Sequence, residues 1–192
     1  MTLSFAAFDV ETANPRRGSI CSIGVSIVLD GVRTQTHSWL CKPPAAASEF
    51  SPWNVRVHKI TPATVAGQPE FAQRLVEVIA AVGDLPVVAH NASFDMDNMT
   101  RACQFSGVRV PEWQYGCTLD WARRQLDLGG YKLNQVAAAL GVALHNHHEA
   151  GADAAAAADI AVGLARLAGA GDLHGLARAN GGRLMALAGV RS

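Results

Sequence analysis

The hydrophobic positions of this chain follow two different periods, and the change between them sets out the elements. Residues 4–11 are mostly apolar and end in Asp9-Val10-Glu11, as expected of a buried strand that reaches a site. Ile20 to Leu29 alternates aliphatic residues with small or polar ones. Asp30-Gly31 then carries a hairpin signal, and Val32 to Leu40 returns as a third strand, stopped by Pro43-Pro44. Ala45 to Gln68 shows neither period and is expected to be irregular. Within it, Thr61-Pro62 reads as a cap followed by a first-turn proline that opens a short helix. From Pro69 to Val82 the spacing turns helical, through Phe71, Leu75, Val78, Ile79 and Val82. Pro86 to Ala89 predicts a short strand, Ser93 to Phe105 a helix capped by Ser93, and Tyr115 to Thr118 a last strand. Helices are expected at Leu119 to Leu126, Leu133 to Leu140 and Glu149 to Leu167, with a polar loop at His145 to His148.

Three strands of antiparallel type, then strands alternating with helices, predict an α/β fold. The sheet is mixed and five-stranded, with helices on both faces, which is the ribonuclease-H-like layout. One domain is expected over 1–168, with 169–192 as a short C-terminal helix or tail. The 192 residues suffice for one core, and 49% apolar against 17% charged is a globular balance. The formal net charge is zero, which removes a strongly basic coat for polyanions but leaves room for local charge or metal ions. No apolar stretch is long enough to span a bilayer, and Met1 to Phe5 lacks the basic region of a signal peptide. Cys21, Cys41, Cys103 and Cys117 form no C-x-x-C pair, so they are expected to be buried, reduced residues of a cytoplasmic protein.

Asp9 and Glu11 stand two apart on a predicted strand and therefore share a face. Two carboxylates forced together there repel, unless a proton or a hard cation such as Mg²⁺ or Mn²⁺ lies between them. Asp95 falls in the first turn of a helix that follows a strand, where open α/β sheets place ligands and where a helix end also favours acid. Asp153 falls about one turn into the last long helix. His148 precedes that helix, with a side chain that titrates near neutrality and can serve as a base. Asp97 and Asp159 point elsewhere on their helices. His145, His147 and His148 could also be taken as a metal cluster, but loop histidines lacking a supporting carboxylate are usually just exposed.

Phe8-Asp9-Val10-Glu11-Thr12, His90-Asn91-Ala92-Ser93-Phe94-Asp95 and His148-Glu149-Ala150-Gly151-Ala152-Asp153 resemble, in order and spacing, the three motifs of the DEDDh family. These are the DnaQ-like 3′→5′ exonucleases, typified by the proofreading subunit of bacterial DNA polymerase III. Glu11 to Cys21, and Phe50 to Asn54 with His58-Lys59-Ile60-Thr61, resemble a bacterial subgroup of stand-alone members. Many relatives have glycine where this chain has Lys59. The resemblance implies two Mg²⁺ or Mn²⁺ ions held by Asp9, Glu11, Asp95 and Asp153. Asp9 would bridge the ions, Glu11 and Asp153 would complete one site, Asp95 would support the other, and His148 would act as base. It implies a single-stranded 3′ end as substrate, DNA ahead of RNA, with a nucleoside 5′-monophosphate as product. A DNA polymerase is the alternative partner. Thr12, Asn14 and Asn91 are candidates for the terminal sugar or phosphate, although turn and cap chemistry also accounts for them. His58, Ile60, Phe94 and the Trp53 segment are candidates for holding the nucleotide, with core packing as the competing account.

Overall fold

The computed structural model describes residues 3–187. Six strands form one sheet in the order β3-β2-β1-β4-β5-β6. These are β1 (Phe5–Thr12), β2 (Ile20–Leu29), β3 (Val32–Leu40), β4 (Val87–Ala89), β5 (Gln114–Cys117) and β6 (Met185–Ala186). The first three pair antiparallel, β4 and β5 run parallel to β1, and β6 returns antiparallel to β5. The mixed α/β architecture matches the sequence expectation, with six strands in place of five. The added strand pairs only Met185 with Tyr115 and Ala186 with Gln114. Two residues are too few to carry a period that a sequence reading could detect.

Among the described residues there are eight α-helices: α1 (Pro52–His58), α2 (Pro62–Val65), α3 (Phe71–Val82), α4 (Ala92–Ser106), α5 (Thr118–Gln125), α6 (Leu133–Ala139), α7 (Ala150–Leu167) and α8 (Leu173–Ala179). Alternation along β1 divides the core. Ala6, Phe8 and Val10 pack with residues of α3 and α4, including Phe71, Leu75, Val78, Met96 and Met99. Phe5 and Ala7 face the other way, toward α5, α6, α7 and α8. Asp9 and Glu11 continue that second face beyond the end of its apolar cover.

Helix α1 lies in the stretch expected to be irregular. It starts with Ser51 as cap and Pro52 in its first turn, the signature that also opens α2. No apolar stripe marks it in sequence because polar contacts hold it: Asn54 Nδ2 and His58 Nε2 both donate to the Thr12 carbonyl, at 2.8 and 3.1 Å. It ends at Lys59, which adopts the left-handed conformation (φ 65°). That is where a glycine would be least strained. Helix α4 begins one residue earlier than predicted. Its cap position is Asn91, also left-handed at φ 69°, and Ser93 is not the cap. Asparagine tolerates that region better than most residues.

The chain after residue 168 does not stand apart from the domain. Leu173, Leu176 and Ala177 of α8, with Leu184, are buried in the second core. Residues 188–192 of the expected tail, and Met1 and Thr2, lie outside the described residues. All four cysteines are free and buried, as expected. Among the described residues no helix is long and apolar enough to cross a membrane.

Candidate active site

Three elements deliver the acidic side chains to one place. β1 and β4 run parallel, so their carboxyl ends lie at the same edge of the sheet. β1 ends there with Asp9 and Glu11, and the chain leaving β4 turns through His90 and Asn91 into α4, whose first turn carries Asp95. Asp95 is 2% exposed, and its Oδ1 accepts a hydrogen bond from the Val10 amide at 3.1 Å. Helix α7 arrives across the sheet at Gly24, the residue paired with Asp9. A Cβ on Gly24 would lie 1.9 Å from the Ala150 carbonyl oxygen, so only glycine lets the start of α7 come this close. Asp9, Glu11 and Asp153 thereby place carboxylate oxygens within 4.8 Å of one another.

Burial and mutual repulsion act on these groups together. The Asp9 carboxyl is pushed well above the usual range, first by burial and then by Asp95, Glu11 and Asp153. Glu11 is pushed up to about 8 by burial, with Asp153, Asp95 and Glu149 adding to it. Asp95 also rises to about 8 through burial, opposed by the Val10 amide. Asp9 Oδ2 is buried and has no hydrogen-bond partner among the described residues. An orphaned carboxylate oxygen facing two further carboxylates is a donor set for a hard divalent cation. The residues present therefore fit the ions that the sequence resemblance implies.

His148 lies in the loop before α7, with its backbone in the left-handed region at φ 72°. Its amide donates to Asp153 Oδ2 at 3.1 Å, which ties the loop to the helix. Its imidazole stacks on His147 with ring centroids 3.9 Å apart. Burial and His147 lower its pKa, with Asp153 opposing. His147 has the supporting carboxylate that the sequence did not reveal: its Nδ1 lies 3.0 and 3.1 Å from the two oxygens of Asp153. Glu149 caps α7 by accepting from the Gly151 and Ala152 amides, and it also accepts from the Ser38 hydroxyl on β3.

Next to the carboxylates is a cleft of about 460 Å³ lined by Glu11, Thr12, Asn14, Pro15, Arg17, Trp53, Asn54, Val57, His58, Phe94 and Asn98. Of the sequence-derived contact candidates, Thr12, Asn14, Trp53, His58 and Phe94 line it. Ile60 does not; it packs against the small cluster of Ala13, Cys21 and Val65. Asn91 does not either, being held at the start of α4 by its backbone role. Asn14 lines the cleft but spends its amide on the Ala47 and Glu49 carbonyls. His58 is neutral in this arrangement, since Nδ1 accepts from the Ile60 amide while Nε2 donates to Thr12, and burial lowers its pKa. Arg17, which the sequence did not single out, sets its guanidinium 4.4 Å from the centre of the Phe94 ring. Arg56 does the same at 4.7 Å over Trp53, which is 64% exposed. The cleft thus joins aromatic faces to positive charge beside the acidic cluster. Asp97 is exposed, and Asp159 pairs with Arg33 at 3.0 Å, away from the site.

A family model described as Exonuclease (RNase_T) matches residues 6–161. The DNA polymerase III PolC-type of Clostridium perfringens is 32% identical over 160 residues, which is 81% of this chain and 11% of that protein. The PolC-type of Halalkalibacterium halodurans is 31% identical over 156 residues, 79% of this chain and again 11% of its own. The chain therefore spans only a small part of the curated relatives it matches. Among solved structures, Exonuclease X in complex with 5′ overhanging duplex DNA superposes with a TM-score of 0.70 at 27% identity. That match covers 86% of this chain and 93% of the other. Exonuclease I superposes at 0.71 with 18% identity, over 86% of this chain and 41% of its own, a likeness of fold.

Proposed function

This chain belongs to the exonuclease family, and from that premise we propose that it shortens single-stranded DNA from the 3′ end, releasing nucleoside 5′-monophosphates. The observation that carries the reading is the convergence of Asp9, Glu11 and Asp153 within 4.8 Å, with Asp95 buried beside them, at the mouth of a cleft lined by Phe94, Trp53 and Arg17. Two divalent ions bound there, Mg²⁺ or Mn²⁺, would supply positive charge to the attacking and leaving oxygens of the phosphodiester. Asp9, Glu11 and Asp153 would hold them, with Asp95 in support. Phe94 and Trp53 offer flat faces on which a base can stack without regard to its identity. Arg17, beside Phe94, provides a planar donor for a phosphate oxygen. His148, whose ring nitrogen lies within 4.8 Å of an Asp153 carboxylate oxygen, would take the proton from the attacking water. Free, buried cysteines accord with work in a reducing cytoplasm.

A second reading, that the chain acts within a polymerase assembly, is favoured by the similarity to PolC-type polymerases. The deciding experiment is a time course on matched 5′-labelled DNA and RNA strands with Mg²⁺, Mn²⁺ or EDTA. The proposal expects a ladder that shrinks from the 3′ end, needs metal and runs faster on DNA. Faster loss of RNA would reassign the substrate, and activity in EDTA would remove the metal reading. His148→Gln should lower kcat by about 10²–10⁴-fold while changing KM little.

A further inference from the structure

A second group of metal-ligating atoms lies beside the carboxylates and shares a member with them. His147, His148 and Asp153 bring two imidazole nitrogens and a carboxylate oxygen within 4.8 Å of one another. His147 Nδ1 already touches both Asp153 oxygens, and the two imidazoles are stacked on the same side of the loop. Asp153 is 5% exposed and lies in the first turn of α7, while both histidines are exposed.

The two groups differ in chemistry. Asp9, Glu11 and Asp153 offer oxygen alone, which suits a hard cation such as Mg²⁺ or Mn²⁺. Two imidazoles and a carboxylate suit a borderline cation, and zinc takes three protein ligands of this kind with a solvent molecule in the fourth place. We propose that His147, His148 and Asp153 form a Zn²⁺ site that inhibits the enzyme. Zinc bound there takes Asp153 away from Asp9 and Glu11. It also occupies the imidazole of His148. One ion therefore removes a ligand of the catalytic cations and the general base together. Only this inhibitory consequence rests on the exonuclease reading; zinc binding does not.

The test is calorimetric titration of ZnCl₂ into metal-free protein, using wild type, His147→Gln and the double variant Asp9→Asn/Glu11→Gln. The double variant leaves the three proposed ligands in place and should bind Zn²⁺ as wild type does. His147→Gln, a change on an exposed loop, should weaken binding by about 10–100-fold, at least the loss seen when a ligand's support is removed. Unchanged affinity in His147→Gln overturns the proposal. So does loss of binding in the double variant, because it moves the ion to the carboxylates. In the Mg²⁺-supported reaction, the Zn²⁺ concentration that halves each protein's own rate should rise by the same factor in His147→Gln. Failure of the exonuclease assay would leave the titration readable, so the two proposals fail separately.

Discussion

Asp9 and Glu11 carry a cost that the fold does not relieve by itself. Both are pushed upward by burial first and neighbouring carboxylates second, Glu11 from 4.5 to about 8. An acid whose pKa is raised on folding binds its proton more tightly in the native state than in the unfolded one. Its contribution to stability is therefore full below the unfolded pKa and is lost as pH rises through the folded value. Metal-free protein should become less stable between about pH 4 and pH 8, with Asp95 contributing over the same window. Divalent metal should restore stability most strongly at the alkaline end, because binding requires the ionised ligands. Asp9→Asn removes one of the mutually repelling groups. Its melting temperature in EDTA at pH 8 should exceed wild type by roughly 3 °C, with exonuclease activity abolished. Thermal melts across pH with and without Mn²⁺ check this; a variant less stable than wild type at pH 8 would contradict the electrostatic account.

The approach of α7 to the sheet decides whether these residues meet. Asp153 belongs to α7 and His148 to the loop before it, so both depend on the one place where the helix start crosses β2. Gly24 makes that crossing possible, and Glu149 fastens it by capping α7 and accepting from Ser38. Gly24→Ala would force the Ala150 backbone outward, and Asp153 with it. The expected result is a folded protein with activity down by about 10²-fold, comparable to the cost of a misplacement near 1 Å. Measuring kcat and Mn²⁺ affinity together tests the cause. Loss of activity with unchanged metal affinity would show that Asp153 had not moved.

The two faces of the sheet have different tasks. The α3–α4 face is closed by large apolar residues and reaches the site only through the start of α4, while the α7 face is closed along most of β1 and opens at Asp9. α8 and β6 complete that second face and its edge, although the family match ends at residue 161. Removing residues 169–192 would take away the buried side chains of Leu173, Leu176 and Leu184. At about 1.5–3 kcal/mol for each, the loss is on the order of 5 kcal/mol, a large part of a typical domain's stability. The truncated chain should melt far below the full chain or fail to fold in circular dichroism. An unchanged melting temperature would mean that the segment is a dispensable tail.

The sequence by itself determined the first five strands, the long helices and the mixed α/β class, because each leaves a local trace. A mostly apolar run ending in acid marks β1, alternation marks β2, period 3.6 marks α3, and a two-residue spacing puts Asp9 and Glu11 on one face. The tertiary structure alone decided what depends on distant partners. α1 was hidden because it is held by hydrogen bonds to Thr12 and not by an apolar stripe. β6 was too short to show a period. Ile60 and Asn91 had suitable chemistry, but packing against Ala13 and a left-handed turn placed them outside the cleft. The contact of His147 with Asp153, six residues apart, exists because the loop turns back over the start of α7 through left-handed residues at Asn146 and His148. That reversal is a matter of backbone conformation, which residue spacing does not encode.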